Sequence, residues 1–421
     1  MAPRPRSRFA LAACLAAAGA CGSEPPLGPI TDLPRALTQA EVRVVESGNR
    51  FAFALLSEAV FTSPADANVF LSPLSIMMAL GMTANGAQGP ALDSLLRTLR
   101  LQGMPLADLN ASARALIDLL RGLDPRVQFT LANSIWHDHG FPVAPAFLDA
   151  NRRFYDAEVR ALDFASPSAG GVINGWVSSR TSGRIPAIVP AALPPEAVVY
   201  VVNAIWFKAA WRQRFDAART QDEPFQLAGG GSVSVPMMHT AGEVRVLGYN
   251  DPLVRILDLA YGGGAWRATF ILPSGGTDIA RLATGLDRTL WNGWMAILFD
   301  DSVRVALPRF TVRYTLDSAN GILKQLGSRI AYCDEANPAR DFTPMVANGA
   351  QNPCITDVRH RTFVEVNEEG TEAAAATSVG VGVTSGPQEF RVDRPFIFAI
   401  RERLSGAILF IGLIRNPTTT H

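Results

Sequence analysis

The chain is short of cysteine, histidine and lysine. Its 421 residues include four cysteines and five histidines, and arginine supplies nearly all of the positive charge because Lys208 and Lys324 are the two lysines. The 38 basic residues are matched by 38 acidic residues, so the formal net charge is zero. A protein with this balance has no electrostatic basis for binding nucleic acid or an acidic polysaccharide.

Motifs of common catalytic and metal sites are also missing. The sequence has no HExxH, paired CxxC, GxSxG or SxxK motif. Gly229-Gly230-Gly231 lacks the lysine and hydroxyl residue that follow the glycines of a phosphate-binding loop. His137, Asp138 and His139 are expected in a solvated loop rather than in a metal site. A catalytic Ser-His-Asp triad remains an alternative, but no motif in the sequence supports it. We therefore predict a protein that is not an enzyme and uses no metal or cofactor.

Long apolar runs are confined to the N-terminus. Three arginines among the first eight residues precede the apolar run 9–20, which is too short to span a bilayer. This pattern predicts a secretory signal peptide at residues 1–20 and an exported protein. No later segment has eighteen uninterrupted apolar residues, so the sequence predicts no transmembrane helix after the signal peptide.

The four cysteines fit an exported chain. Cys21 follows three small residues, as at a bacterial lipoprotein cleavage site, so we predict that it becomes the lipidated first residue, with Cys14 as the alternative. Residues 21–40 are rich in proline and glycine and are predicted to form a lipidated tether. The protein is therefore expected to be anchored to the bacterial cell envelope or to be extracellular. Cys333 and Cys354 are predicted to form a disulfide, and two free buried thiols are the alternative.

The body of the chain alternates helical and strand patterns without a strict βαβ rhythm, which favours an α+β fold. Ser72-Pro73 predicts a helix start, with serine as N-cap and proline in the first turn. The apolar stretch 198–207 predicts a central strand covered on both faces. The other predicted helices are 41–62, 74–83, 91–101, 106–121, 172–182 and 316–326, and the other predicted strands are 127–136, 254–260, 266–272, 303–307, 310–314, 362–366, 395–401 and 407–414.

One stretch, residues 368–388, fits neither a helix nor a hairpin. It has no turn signal before Ser385-Gly386-Pro387, which is too late for a hairpin loop of two to five residues. Its period is two instead, with polar or very small residues on one face and small or β-branched residues on the other. The second face contains Thr371, Ala373, Ala375, Thr377, Val379, Val381 and Val383. The pattern predicts a spare strand held outside a sheet; a flexible linker is the alternative.

The start of this stretch, Asn367-Glu368-Glu369-Gly370-Thr371-Glu372 with four alanines after it, resembles the hinge of the inhibitory serpins. Other matching runs are 68–76, 202–208, 235–238, 307–310 and 393–396, and the resemblance covers roughly residues 41–417. It implies one serpin domain over residues 41–421, with three β-sheets, eight to nine helices and an exposed reactive-centre loop at about 368–390. A monomer is also expected.

The resemblance also implies roles for individual residues. The positions of Ser72, Ser75, Asn203 and His360 match a hydrogen-bonded "shutter" beneath the large sheet, where two strands part. Buried polar groups must be hydrogen-bonded, and a shared network can re-pair when a strand enters. Each residue alone would favour an ordinary capping serine or a satisfied core histidine, and the match at all four family positions reverses that preference. Three further residues match the region at the base of the loop, called the breach: Trp211, and Glu368 paired with Arg309.

The function implied by the resemblance is inhibition of a serine protease as a suicide substrate. The target cleaves the loop, forms an acyl-enzyme and is trapped in a covalent complex when the loop inserts into the sheet. Small hinge residues are expected to enter first, and we expect Thr371 to lie near solvent in the intact protein. The hinge residues are Glu368, Gly370, Thr371, Ala373 and Ala375. Alternatives are a non-inhibitory serpin with a binding role, an inhibitor of cysteine proteases and an unrelated hydrolase.

Family spacing places the reactive bond at Thr384-Ser385, with cleavage after Val383 as the alternative. No arginine or lysine lies beside this bond, so targets resembling elastase or subtilisin are predicted rather than trypsin-like ones. Gly380 and Gly382 depart from the family pattern, and glycine weakens a strand.

Overall fold

The computed structural model describes residues 28–250, 252–274, 276–316, 318–334, 337–349, 351–371 and 389–420. Several predicted site residues lie outside the described residues: Cys14, Cys21, Ala373, Ala375, Val383, Thr384 and Ser385. Over the described ranges, no helix has the length and apolar character needed to cross a membrane.

Nine α-helices form in the described residues. They are α1 (Gln39–Thr62), α2 (Pro73–Ala84), α3 (Gly89–Thr98), α4 (Leu106–Gly122), α5 (Pro145–Tyr155), α6 (Ala169–Arg180), α7 (Ile279–Thr284), α8 (Arg288–Ile297) and α9 (Asn320–Leu323). A capping box begins α1, since Thr38 and Glu41 each accept a hydrogen bond from the other's backbone N–H. Ser72 begins α2 as predicted, because its hydroxyl accepts from the Ser75 N–H and Pro73 takes the first helical position.

Sixteen strands form in the same residues. They are β1 (Val69–Leu71), β2 (Val127–Asp138), β3 (Glu158–Leu162), β4 (Val199–Ala210), β5 (Asp216–Gln226), β6 (Ser232–His239), β7 (Val244–Asn250), β8 (Val254–Ala260), β9 (Trp266–Pro273), β10 (Phe299–Pro308), β11 (Phe310–Leu316), β12 (His360–Val366), β13 (Gly370–Thr371), β14 (Glu389–Arg391), β15 (Phe396–Glu402) and β16 (Ile408–Ile414). The mixture of helices and strands is the α+β class that the sequence predicts.

The described strands form a six-stranded and a ten-stranded sheet. The six-stranded sheet has the order β11-β12-β13-β4-β2-β3. The ten-stranded sheet has the order β1-β16-β15-β9-β8-β7-β10-β6-β5, with β14 beside β10. Its two parts are joined by β10, whose residues 299–303 pair with β7 and whose residues 306–308 pair with β6. The three sheets that the resemblance implies correspond to the six-stranded sheet and these two parts.

Helix α2 lies between the sheets, because it packs against both β4 and β16. Phenylalanine rings fill the core beside it. Phe70 of β1 lies 5.5 Å from Phe410 and 5.8 Å from Phe398 between ring centroids. Phe310 of β11 lies 5.6 Å from Phe398. These four residues are at most 2% exposed, so β11 is fixed to the ten-stranded sheet by an aromatic core.

Three local predictions differ from the structure. β2 continues through His137 and Asp138, which the sequence placed in a loop, because its pairing with β3 extends to Asp138. The helix predicted at 316–326 begins later, since β11 pairs with β12 as far as Leu316. The described part of the predicted tether lies on the body, where the Ile30 N–H donates to the Gly263 carbonyl at 2.9 Å.

The predicted disulfide between Cys333 and Cys354 is present, and the Cα atoms of the two cysteines are 5.1 Å apart.

Candidate functional site

The first residues of the predicted loop are part of the six-stranded sheet. Gly370 and Thr371 pair with Ala210 and Ala209 of β4. On the other side, Thr371 pairs with Val366 of β12. Within the described ranges no residue pairing joins β4 directly to β12. The start of the hinge therefore already separates these two strands.

Thr371 is buried, which corrects the prediction that it lies near solvent in the intact protein. It is 1% exposed, and its hydroxyl lies 2.6 Å from the hydroxyl of Tyr261. Tyr261 stacks on Trp211 with ring centroids 4.4 Å apart. Burial raises the pKa of Tyr261, so its hydroxyl stays protonated and able to hydrogen-bond. The prediction failed because the loop's sequence contains no sign of the tyrosine that receives Thr371.

Trp211 connects the end of β4 to the hinge. Its indole N–H donates to the Asn367 carbonyl at 2.8 Å. Its backbone N–H donates to the Glu369 carbonyl at 2.7 Å. One residue thus satisfies two main-chain acceptors in the turn that leads into β13.

Glu368 and Arg309 are paired in the structure. The Glu368 carboxylate accepts hydrogen bonds from the Arg309 guanidinium and, at 2.6 Å, from the Thr220 hydroxyl. The Glu368 carbonyl also accepts from the Phe215 N–H at 2.9 Å. Burial would raise the pKa of Glu368, but the hydrogen bonds from Arg309 and Thr220 outweigh it and the pKa is lowered. A charged Glu368 therefore fixes the turn before the hinge.

Gly370 permits a very close approach to β4. A Cβ atom at this position would lie 2.0 Å from the Ala209 carbonyl oxygen and 2.7 Å from the Ala210 Cα. Any side chain here would push the hinge away from β4, because non-bonded heavy atoms cannot approach so closely. Only glycine fits between the strands at this point.

Further down the line of β13, from the level of Asn203 and His360, the sheet contains a cavity. This cavity, of about 600 Å³, lies between the lower part of β4 and the segment that leads into β12. Its sides include residues 198–203 and 351–360, and its floor is provided by α2. The floor residues are Ser75, Ile76, Ala79, Leu80 and Thr83. The cavity continues the line of β13 between the same two strands.

Ser72 and His360 meet at the end of this cavity that is nearest to β13. The Ser72 backbone N–H donates to Nε2 of His360 at 3.0 Å, and the Ser72 hydroxyl donates to the Leu409 carbonyl at 2.9 Å. Ser75 takes part through its backbone N–H, which donates to the Ser72 hydroxyl at 3.3 Å. Because Nε2 is an acceptor, His360 is neutral with its proton on Nδ1. Burial lowers the pKa of His360 to about 4.

Asn203 lines the same cavity but belongs to another hydrogen-bond group. Its Nδ2 donates to Oδ1 of Asn133 at 2.6 Å, and Nδ2 of Asn133 donates to the Tyr155 carbonyl at 2.6 Å. Oδ1 of Asn203 is buried and has no hydrogen-bond partner among the residues that the structure describes. An unpaired buried acceptor costs about 1–3 kcal/mol, so a donor that entered the cavity here would relieve that cost.

A separate polar cluster is formed by Asp138, His139 and Asp163, whose nearest ligand-type atoms all lie within 4.8 Å of one another. Both Asp138 oxygens already accept backbone N–H groups, from Gly140 at 2.9 Å and Phe164 at 3.0 Å. The hydrogen bonds from Phe164 and Gly140 lower the pKa of Asp138. Stabilising these two turns is sufficient to account for the cluster.

Known proteins resemble this chain over most of its length. The family model that matches residues 46–417 is Serpin, described as serine protease inhibitor. Serpin-ZXA of Oryza sativa subsp. japonica is 33% identical over 401 residues, which cover 90% of this chain and 98% of that protein. The leukocyte elastase inhibitor of Bos taurus is 32% identical over 385 residues, which cover 88% of this chain and 98% of that protein.

The fold resembles solved structures equally broadly. Human thyroxine-binding globulin, solved as a complex with thyroxine, superposes with a TM-score of 0.80 at 26% identity. The match covers 90% of this chain and 100% of that one. Proteins named as protease inhibitors and a thyroxine-binding globulin thus both occur among the proteins that it resembles. The chain belongs to the serpin family.

Proposed function

We propose that this chain inhibits serine proteases as a suicide substrate and traps its target by inserting residues 372–383 into the six-stranded sheet, between β4 and β12. The observation that carries the proposal is β13, which lies between β4 and β12, with a cavity further down the same line from the level of Asn203 and His360. Strand edges that are not paired with each other are a ready acceptor for a further strand.

The register of β13 predicts where each inserted residue would lie. Thr371 is opposite Ala209 on one side and Val366 on the other, and both pairings are antiparallel. Continued downwards, the register gives three inner positions: Ala373 opposite Phe207 and Val364, Ala375 opposite Ile205 and Thr362, and Thr377 opposite Asn203 and His360. These six sheet residues are all buried, so the odd-numbered loop residues would face the interior.

The inner loop residues suit those positions. Alanine at 373 and 375 can pass into a closely packed interior, where a large or charged side chain would stall the strand. Thr377 would reach the level of Asn203, whose Oδ1 has no hydrogen-bond partner within the described part of the chain. The threonine hydroxyl would supply the missing donor, so the shutter would be better satisfied after insertion than before.

The trapping reaction follows from this insertion. The target's catalytic serine attacks the carbonyl carbon of Thr384, the Thr384–Ser385 C–N bond breaks, and the new amine leaves with a proton. Each added ladder hydrogen bond contributes about 1 kcal/mol, and each buried valine about 1.5–3 kcal/mol. This gain must exceed an ordering cost of about 1–2 kcal/mol per residue. The target protease is carried along with the inserting loop, and its active site is distorted. Loss of even one oxyanion donor in that site slows deacylation about 10²–10³-fold, so the ester is trapped.

The target class follows from the residues beside the bond. Val383 and Thr384 are small and β-branched, and no cation is present for a trypsin-like pocket. A protease resembling elastase or subtilisin has a shallow apolar pocket that accepts them. A relative named leukocyte elastase inhibitor, 32% identical, supports the same class.

In this proposal the protein is not an enzyme, and it acts as a monomer without a cofactor. Its partner is the target protease, held as a covalent ester. The signal peptide at residues 1–20 and a lipid at Cys21 would export the chain and hold it at the bacterial cell envelope or in the extracellular space. Labelling with a fatty-acid probe tests this, since Cys21→Ser would abolish the label while Cys14→Ser would retain it.

A non-inhibitory binding role is the second candidate, because the likeness to thyroxine-binding globulin has a TM-score of 0.80. Incubation with elastase, subtilisin, chymotrypsin, trypsin and papain separates the two. Inhibition predicts a complex with elastase or subtilisin that survives boiling in detergent, and a released peptide that begins at Ser385. If every protease cleaves the chain without forming a complex, inhibition is refuted. A complex with trypsin alone would refute the proposed target class. A complex with papain alone would indicate an inhibitor of cysteine proteases.

A further inference from the structure

A second cavity, of about 680 Å³, opens beside the ends of β7 and β8. Residues 29–31 form one of its walls, and Ile30 is fixed there by its hydrogen bond to the Gly263 carbonyl. Four arginines and one carboxylate line it: Arg212, Arg245, Arg267, Arg403 and Asp300. The formal net charge of the chain is zero, so this excess of positive charge is local. We call this site the arginine cavity.

The deepest of these arginines is only partly neutralised. Nε of Arg267 lies 2.7 Å from the carboxylate of Asp258. Nη2 of Arg401 also lies 2.9 Å from the same oxygen. All three residues are at most 9% exposed. Two buried guanidinium groups thus share one carboxylate, and the wall behind the cavity keeps a positive charge.

The other three arginines have no carboxylate partner among the residues that the structure describes. Arg212 makes a 3.3 Å hydrogen bond from Nη1 to the Gly263 carbonyl. Arg403 makes hydrogen bonds of 3.5 Å and 3.4 Å to the carbonyls of Gly264 and Ile30. Burial, followed by the charges of Arg267 and Arg401, lowers the pKa of Arg403, and these causes outweigh the attraction of the Glu402 and Asp258 carboxylates. An anion in the cavity would offset this repulsion.

We propose that the arginine cavity binds a phosphate-bearing anion. Guanidinium groups pair with phosphate oxygens through two parallel hydrogen bonds, and their planar fork matches that group. The cavity volume is in the range of small-molecule sites and leaves room beside a phosphate for the organic part of a phosphate ester.

The position of the N-terminal wall makes a phospholipid headgroup one source of this phosphate. The predicted anchor Cys21 precedes Gly28 by few residues, and an extended chain spans at most about 3.6 Å per residue, so the anchor would hold the cavity within about 25 Å of a bilayer. A soluble phosphate ester is the other source. Both present the same group to the arginines.

The test compares Arg245→Gln/Arg403→Gln with wild type and with Arg281→Gln, which removes an exposed arginine outside the cavity. All proteins are full chains carrying Cys21→Ser, so that no acyl chain contributes. Binding of glycerol phosphate is measured by titration calorimetry, and binding to vesicles of phosphatidylglycerol or phosphatidylcholine by co-sedimentation. Wild type and Arg281→Gln are expected to bind glycerol phosphate at one saturable site, and the double variant at least tenfold more weakly.

The vesicle arm identifies the source. A headgroup ligand predicts a preference for phosphatidylglycerol that the double variant loses and Arg281→Gln retains. A soluble ligand predicts saturable glycerol phosphate binding without that preference. The proposal is wrong if wild type shows neither, or if the double variant binds as tightly as wild type. Formation of the protease complex, measured in parallel, reports on the proposed inhibitory function separately.

Discussion

Gly370 is the residue at which the smallest change is predicted to have a large effect. In Gly370→Ala the new Cβ would lie 2.0 Å from the Ala209 carbonyl oxygen, so the hinge could not lie between β4 and β12. Insertion would be delayed, and we expect several-fold more cleaved inhibitor per complex on a gel. Gly229→Ala is the matched control, because no atom lies within 4 Å of a Cβ there. Equal complex yields from the two variants would contradict this role.

His360 predicts a pH dependence of stability. Its pKa is about 4 in the folded protein, below the ordinary 6.5, because burial favours the neutral ring. Between these values the unfolded chain binds a proton that the folded chain does not bind. The contribution of the neutral His360 ring to the free energy of unfolding is therefore complete above pH 6.5. It is lost as the pH falls towards 4, which lowers the stability by roughly 3 kcal/mol. As the pH is lowered over this range, the urea midpoint of unfolding should fall more steeply for wild type than for His360→Gln. An equal fall in the two proteins would contradict this role of His360.

Sequence predicted the residues of this site unevenly. Ser72, His360, Glu368 and Arg309 are polar residues inside otherwise apolar or strand-like runs, so their positions could be singled out. Tyr261 could not, because its hydroxyl meets Thr371 across 110 residues of sequence. Contacts of that range depend on how the sheets assemble, which no local pattern encodes.

At the scale of elements, the open gap between β4 and β12 predicts a change in hydrogen exchange. The amides of residues 199–208 and 360–365 flank the line that the loop is proposed to enter. After cleavage within the loop, we expect these segments to become more protected, because new ladder hydrogen bonds form. The strands β15 and β16 pair with each other in the intact protein and serve as the internal control. Unchanged exchange in both pairs of segments would argue against insertion.

The predicted strands were those with a clear apolar face, such as 254–260 and 266–272, and the structure places them in β8 and β9. The missed elements are short or polar. β5 is mostly exposed and carries seven polar or charged residues in DAARTQDEPFQ, so it lacks the alternation that identifies a strand. α5 was missed although its buried residues, Phe147, Asn151 and Tyr155, are four apart as on one face of a helix; it has no side-chain N-cap to mark its start.

At the scale of the whole molecule, the matching sequence runs are distributed over both sheets and α2, which is why they identified the fold over nearly the entire chain. The same distribution makes loop insertion a global event. If the loop joins the six-stranded sheet after cleavage, the cleaved protein should melt well above the intact one. A cleaved form with an unchanged melting temperature would mean that the loop stays outside the sheet.

The central claim is that trapping requires residues 372–383 to enter the sheet with the register of β13. Ala375→Arg would place a guanidinium inside, between Ile205 and Thr362, whereas Ala376→Arg would place it on the outer face one residue away. Burying that charge without a partner costs several kcal/mol. Both variants are expected to be cleaved by the target at Thr384-Ser385. On a denaturing gel, Ala376→Arg should form the complex as wild type does, and Ala375→Arg should be cleaved without complex. Equal complex formation by the two would contradict the account.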